Sequence, residues 1–281
     1  MPADGTRLHP LLALIGAEFG DCDTESAVKA AALAELLHVA SPFHDYVMAG
    51  AGTWADAPRV PHARARDEET ARAYAGERLL MKAASVAAEL GPEVVRLRDR
   101  TADRLAVGQM RELVGPMDGE DLLSHYTEVT AGKSAALTSM ALQLCAVRSG
   151  STGSGTRAAL AEYGEQLGLA LRMSDDLVDA ALGTPTGAAG LPAVIALADR
   201  RRETEELRAL LSGPRGTAGP AGPRDVTRIL DLLYGTGAVA EARAMTYARL
   251  ARARAALEGL PEGPATCALH ALCDLVARRD H

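Results

Sequence analysis

Apolar positions along this chain recur at spacings of three and four residues, and no stretch alternates apolar with polar at a spacing of two. The pattern therefore predicts helices and no strands. Residues 11–19 run helical after Pro10. Asp23 or Thr24 is placed to cap a second helix, which carries Ala27, Ala30, Leu33, Leu37 and Ala40 and reaches His44-Asp45-Tyr46. Pro42 lies inside that helix and removes a backbone donor, so a kink is expected there. Residues 50–61 read as a loop. Residues 67–90 form a strongly amphipathic helix stopped by Gly91-Pro92, and residues 93–114 form another ending at Gly115-Pro116. Residues 120–149 read as one long helix with Leu123, Tyr126, Val129, Leu137, Met140 and Leu144 on its apolar side.

A Gly/Ser linker at 150–155 precedes a helix over 156–182. An uncharged loop over 183–192, a helix over 193–211 and a Gly/Pro loop over 213–223 follow. Helices over 225–234, 238–257 and 265–279 close the chain. With no fixed-period repeat and short connections, residues 1–281 are expected to form a single all-α domain.

Composition sharpens this picture. Apolar residues make up 48 % of the chain, aromatics only 3 %, and alanine and leucine dominate, which favours helix throughout. The net charge of −7 gives no reason to expect a nucleic acid partner. No apolar run approaches the roughly 18 residues of a membrane span. The N-terminus lacks a basic-then-apolar leader pattern, so a cytoplasmic protein is expected. Cys22, Cys145, Cys267 and Cys273 show no metal-type spacing and read as buried thiols of a reducing compartment. Lysine is scarce: Lys29, Lys82 and Lys133 are the only ones.

Candidate chemistry concentrates in residues 167–182. Three acids, Asp175, Asp176 and Asp179, interrupt an apolar helical stretch. Asp175 and Asp179 are four apart and share a helix face, among Leu171, Met173, Leu177, Val178 and Leu182. Carboxylates in an apolar wall need a compensating cation. Hard oxygen ligands at this spacing suit Mg²⁺, which completes its octahedron with water and substrate phosphate. An acidic helix edge facing water fits the same spacing, and the triplet alone leaves both readings open.

Further motifs, in order along the chain, carry a resemblance. Gly5-Thr6-Arg7-Leu8-His9-Pro10 comes first, then Ala34-Glu35-Leu36-Leu37-His38-Val39-Ala40-Ser41 leading to His44-Asp45. Gly108-Gln109 follows, then Tyr126 and Gly132-Lys133-Ser134-Ala135, and finally Tyr163-Gly164 leading to Asp175-Asp176-Leu177-Val178-Asp179. Over nearly its whole length the chain resembles the trans-isoprenyl diphosphate synthases, the polyprenyl synthetase family. The resemblance implies an isoprenoid-synthase-type helical bundle around a central apolar cavity. It implies Mg²⁺ held on an allylic prenyl diphosphate by two facing aspartate-rich helices, ionisation of that substrate, and attack by isopentenyl diphosphate on the resulting carbocation. Carried over residue by residue, Asp175, Asp176, Asp179 and Asp45 are the expected metal ligands, and Asp175, Asp179 and Lys133 the catalytic set. Lys133, Ser134, Arg172, Arg7, His9, His38 and Gln109 are the expected substrate contacts. The family also implies a dimer, either of two copies or with a related synthase.

The departures are as telling. Where the family carries its first Asp-Asp-x-x-Asp, this chain reads Asp45-Tyr46-Val47-Met48-Ala49. In the basic motif the family's lysine is Thr6 and its second arginine is His9, with Arg7 retained. The arginine pair after the first motif is reduced to Ala57-Pro58-Arg59, and the lysine-bearing loop after the second is the uncharged stretch 183–190. Arg172 stands where the family has glutamine, one turn before Asp176, where it can pair with that carboxylate or hold diphosphate. Each charge-assisted contact is worth roughly 1.5–3 kcal/mol. Losing two or three removes on the order of 5 kcal/mol from the isopentenyl diphosphate pocket. The expected function is a prenyltransferase that ionises an allylic prenyl diphosphate and passes the prenyl group to an acceptor other than isopentenyl diphosphate. Two alternatives stand beside it. One is a non-catalytic partner subunit of a heteromeric synthase. The other, ranked last, is a terpene cyclase, for which Phe19, Phe43, Tyr46, Trp54 and scattered tyrosines give few aromatics to line a cavity.

Overall fold

Every described segment of the chain is helical or a connection between helices. A computed structural model describes residues 7–49, 65–148, 152–183, 190–199, 202–211 and 223–279. These form α1 (Leu8–Ala17), α2 (Thr24–Ala49), α3 (Ala65–Leu90), α4 (Pro92–Val114), α5 (Leu122–Thr130), α6 (Ala136–Arg148) and α7 (Ser154–Ala181). They continue with α8 (Leu191–Ala198), α9 (Arg202–Leu211), α10 (Pro223–Gly235), α11 (Ala238–Ala256) and α12 (Pro264–Ala277). The all-α architecture expected from the periodicity is the one observed. Among the described residues no helix is long and apolar enough to cross a membrane.

The boundaries follow local chemistry. Asp23 caps α2: the Ser26 N–H donates to its Oδ1 at 2.8 Å and the Ser26 hydroxyl to its Oδ2 at 2.9 Å. The helix then runs through Pro42 to Ala49. Gly91, at φ 113°, separates α3 from α4, and Pro92 opens α4 where its missing N–H costs nothing. Asp121 caps α5 by accepting from the Ser124 N–H at 2.8 Å.

Two elements differ from the expectation. Residues 120–149 are not one uniform helix: Ala131–Ala135 form a π-helical turn between α5 and α6. An extra residue in a turn of this kind displaces the side chains on it, and such turns are frequent at functional sites. The expected helix over 193–211 is also divided. Asp199, at φ −76° and ψ 130°, leaves the helical region and ends α8. No Gly or Pro marks that break in the sequence.

α7 is the spine of the packing. Its first half lies directly on α6 and the π turn because it carries glycines: a Cβ on Gly164 would stand 2.5 Å from Ser139 Cα, and one on Gly168 2.5 Å from Ala135 Cα. Gly132 meets Gly108 of α4 in the same way, at 2.9 Å. This half belongs to a core containing Leu33, Leu37, Met140, Leu144, Tyr163 and Leu167. Tyr163 is fully buried, and its hydroxyl donates to the Leu269 carbonyl at 2.7 Å, satisfying the one polar atom that burial would otherwise penalise. The second half of α7 enters a separate core through Met173 and Leu177, packed with Leu191, Leu207, Ile229 and Leu233. The acidic turn lies on the part of α7 that joins the two cores.

Candidate functional site

The three acids of α7 meet different surroundings. Asp176 is 2 % exposed. Its Oδ2 accepts from the Tyr126 hydroxyl and from the Leu191 N–H, each at 2.8 Å. Its Oδ1 lies 3.0 Å from Nη2 of Arg172, one turn earlier. The Leu191 N–H belongs to the first turn of α8, so the carboxylate also faces the positive end of that helix. Gly190 allows the approach, since a Cβ there would come within 2.8 Å of Asp176 Cβ. Burial, with Asp176 close by, pushes the Tyr126 hydroxyl pKa far above its usual value. Asp176 was expected to be a metal ligand; instead its carboxylate is committed to protein donors, with both lone pairs of Oδ2 filled. It fastens α5, α7 and α8 together.

Asp175 turns to a more open side, its side chain 41 % exposed. Nη2 of Arg279, just beyond α12, pairs with Oδ1 at 2.7 Å. Burial raises the carboxyl pKa; Arg279 and Arg172 work against that rise. Asp179, one turn on, is half-buried. Lys133 projects from the π turn and pairs with Glu112 of α4. The field of Glu112 also reaches Arg172, whose charge is opposed by burial and sustained by Asp176, Tyr126, Asp175 and Glu112. Lys133, Arg172, Asp175 and Asp176 are therefore linked into one charged network. Ser134 is half-buried beside Lys133 on the same turn. Gln109, three residues before Glu112 on α4, is 1 % exposed, and neither amide atom has a hydrogen-bond partner. A buried amide left without a partner is rare and costs stability.

A second corner gathers the other expected substrate contacts. The rings of His9 on α1 and His38 on α2 pack with centroids 4.3 Å apart and planes tilted by 33°. Burial, reinforced by His38, lowers the His9 pKa to about 3, and burial lowers that of His38 as well. Both shifts favour the uncharged imidazole. Arg7 is exposed at the start of α1. Asp45 lies in the last two turns of α2, with its side chain outside the described residues, as are Thr6, Asp56 to Arg59 and the loop 184–189.

Elsewhere, α4, α6 and α7 line an open crevice of about 490 Å³ that includes Leu97, Thr101, Met140, Gln143 and Glu165. Arg104 closes one side. It donates to both carboxylate oxygens of Glu165, at 2.6 and 3.0 Å, and to the Ala131 carbonyl at 3.1 Å, anchoring the π turn.

The donor set suits a hard divalent cation. Among the described residues no group of three or more His, Cys, Asp or Glu stands together as a metal cage. Mg²⁺ does not require one: it commonly takes one or two carboxylates and completes its shell with water and phosphate oxygens. Asp175, with its side chain 41 % exposed, leaves room for such a cation, whereas Asp176 is 2 % exposed.

Sequence reasoning missed four participants: Glu112, Tyr126 as a partner of Asp176, the N–H of Leu191, and Arg279. Each meets its partner across a separation of 15 to 104 residues (Leu191 to Asp176; Arg279 to Asp175), where no local spacing signals contact. Tyr126 was visible as an apolar-face residue and as part of the resemblance, not as a partner of Asp176.

An all-α bundle with an acidic turn, a lysine on a neighbouring helix turn and a buried polar amide on α4 fits an isoprenoid-synthase-type protein. The chain belongs to the polyprenyl synthetase family, whose model matches residues 1–209. It is 32 % identical to a nonaprenyl diphosphate synthase of Mycobacterium tuberculosis over 99 % of this chain and 84 % of that protein. It is 25 % identical to heptaprenyl diphosphate synthase component 2 of Geobacillus stearothermophilus over 100 % of this chain and 88 % of that one. Among solved structures, a geranylgeranyl pyrophosphate synthase from Corynebacterium glutamicum, complexed with calcium and isoprenyl diphosphate, superposes with a TM-score of 0.84. It is 30 % identical, with 99 % of this chain and 85 % of that one covered.

Proposed function

We propose that this protein ionises an allylic prenyl diphosphate and transfers the prenyl group to an acceptor other than isopentenyl diphosphate. The observation that carries this reading is His9, which stands where the family resemblance places an arginine for the second diphosphate and packs on His38, with burial lowering its pKa to about 3. A dianionic or trianionic head group gains less from a histidine whose charged form burial disfavours than from an arginine. The corner around α7 keeps its charges. The expected contacts at Lys133, Ser134, Arg172 and Gln109 all lie on or beside it.

On this reading, Asp175 and Asp179 hold Mg²⁺, which when bound draws negative charge from the leaving diphosphate. Lys133 releases Glu112 and donates to a phosphate oxygen, holding the leaving group in place. Arg172 stays fixed to Asp176 and presents its remaining N–H donors to the same group. Arg279, which pairs with Asp175, would supply a further positive charge beside the leaving group. Together the two arginines replace the lysine missing from the loop after the second motif. The orphaned Gln109 amide gains partners from substrate. With no helix suited to a membrane among the described residues, we place the activity in the cytoplasm, in one domain spanning residues 1–281.

The test is release of inorganic diphosphate from C10–C20 allylic diphosphates with Mg²⁺, with and without isopentenyl diphosphate. Release that needs no isopentenyl diphosphate supports the proposal. No release from any chain length, or release strictly coupled to chain elongation, overturns it.

A second reading has support of its own. Val107, Met110 and Val114 form an exposed apolar stripe on α4, beside exposed Tyr74 and Met81 of α3 and Met117 in the following turn. Such a stripe suits a helix-on-helix subunit contact, and one relative is named as a component of a two-part synthase. This face therefore serves a homodimer or a pairing with a related synthase. A purely structural subunit would alter its partner's product length even as the Asp175→Ala variant; a catalytic one would not.

A further inference from the structure

Two thiols that nothing in the sequence pairs meet where α1 turns into α2. Cys22 lies in that turn, and its Sγ stands 2.7 Å from Sγ of Cys145 on α6, across 123 residues. Both are free thiols. Contacts on either side hold the two segments together. A Cβ on Gly20 would lie 3.2 Å from the Cys145 carbonyl oxygen, so the turn passes against the α6 backbone. The Thr152 hydroxyl donates to the Phe19 carbonyl at 3.4 Å. Arg148, one turn beyond Cys145, reaches Asp23 at 3.5 Å. Cys22 is partly open to solvent whereas Cys145 is buried, and burial pushes the Cys145 thiol above its usual range. Access therefore favours Cys22 as the sulfur that meets an oxidant first.

We propose that Cys22 and Cys145 form a reversible disulfide on exposure to hydrogen peroxide, stapling the α1–α2 turn to α6. One peroxide oxygen passes to Cys22 sulfur, giving a sulfenic acid and one water. The Cys145 sulfur then attacks the Cys22 sulfur, the S–O bond breaks, and the hydroxyl leaves with the Cys145 proton as a second water. Two thiols lose two electrons and two protons in total, and one peroxide is reduced to two waters. A dithiol reverses the bond by exchange. The staple joins α1, which carries His9, to α6, which follows directly on the Lys133 turn.

The test uses the full chain as the Cys267→Ser variant, which removes an exposed competing thiol. Peroxide treatment followed by digestion without reduction is expected to give one linked peptide holding Cys22 and Cys145, two hydrogens lighter than the sum of its parts. Closing a loop this long is expected to raise Tm by about 5 °C, and dithiothreitol should reverse both changes. In the added variant Cys22→Ser neither change appears. If that variant fails to fold, the peptide map of the parent chain decides alone. Recovery of Cys22 as sulfinic or sulfonic acid, with no peptide linked to Cys145, overturns the proposal.

Discussion

Two corners of this molecule were expected to bind diphosphates, and their electrostatics are opposite. Around α7, Lys133, Arg172 and Arg279 are interleaved with Glu112, Asp175 and Asp176, every cation already facing an anion. Between α1 and α2, His9 and His38 stack, and burial lowers the pKa of both. A site whose charges are paired in the resting state can exchange one partner for another at small cost when metal and substrate arrive. A histidine held toward its uncharged form, as His9 is, has less charge to exchange. The difference teaches that loss of a function can be read from the surroundings of the replacements as well as from their identity. Burial opposes protonation at His9, whereas His38 is exposed.

The largest expected effect separates the two neighbouring acids of α7. Asp175→Asn should cut diphosphate release by about 10³-fold, equivalent to roughly 4 kcal/mol of transition-state stabilisation, while moving the urea midpoint little. Asp176→Asn should do the reverse in kind. It leaves half-exposed Arg172 without its carboxylate and weakens the acceptor of Tyr126 and the Leu191 N–H, at a cost of about 1–3 kcal/mol, to be read from urea unfolding. Loss of activity without loss of stability at position 176 would contradict its role as a fastener. Tyr126→Phe removes one hydrogen bond from the same cluster and should cost about 1–2 kcal/mol by the same measurement.

Smaller effects probe the neutral corner. His9→Arg restores a cation where the family has one and should strengthen isopentenyl diphosphate binding by about tenfold or more, the value of one charge-assisted contact. No change by calorimetry would mean that the corner no longer receives a diphosphate in any form. Acid titration tests the stack itself. The folded pKa of His9, about 3, lies below its ordinary 6.5. The unfolded chain therefore takes up the proton first, and stability present above pH 6.5 is lost as pH falls toward 3. His9→Asn should flatten that part of the Tm-against-pH curve.

The fold was largely legible from sequence because its determinants are local. Gly91-Pro92, Gly115-Pro116 and Asp23 fix helix ends through the backbone of the residues beside them. The π turn at Ala131–Ala135 was not legible. It arises where α4 and α7 press on the same few residues, and Gly132 reads equally well as an ordinary small residue. The break at Asp199 was hidden because aspartate is tolerated in helices and at their ends alike. In the site, the acidic spacing showed which residues share a face but not which of two adjacent carboxylates is filled. That is decided by Tyr126, Leu191 and Gly190, each brought to Asp176 from a distant part of the chain. The family resemblance identified Lys133 and Gln109, yet Glu112 and Arg279 follow from neither spacing nor motif.

The most direct measurement is isothermal titration of the protein with Mg²⁺ and a non-ionising allylic thiodiphosphate, set against isopentenyl diphosphate under the same conditions. The account predicts binding of the allylic analogue that requires Mg²⁺ and is lost in Asp175→Asn and Lys133→Ala, with no measurable heat from isopentenyl diphosphate. Binding of isopentenyl diphosphate as tight as that of the allylic analogue, or allylic binding indifferent to Asp175 and Lys133, would contradict it.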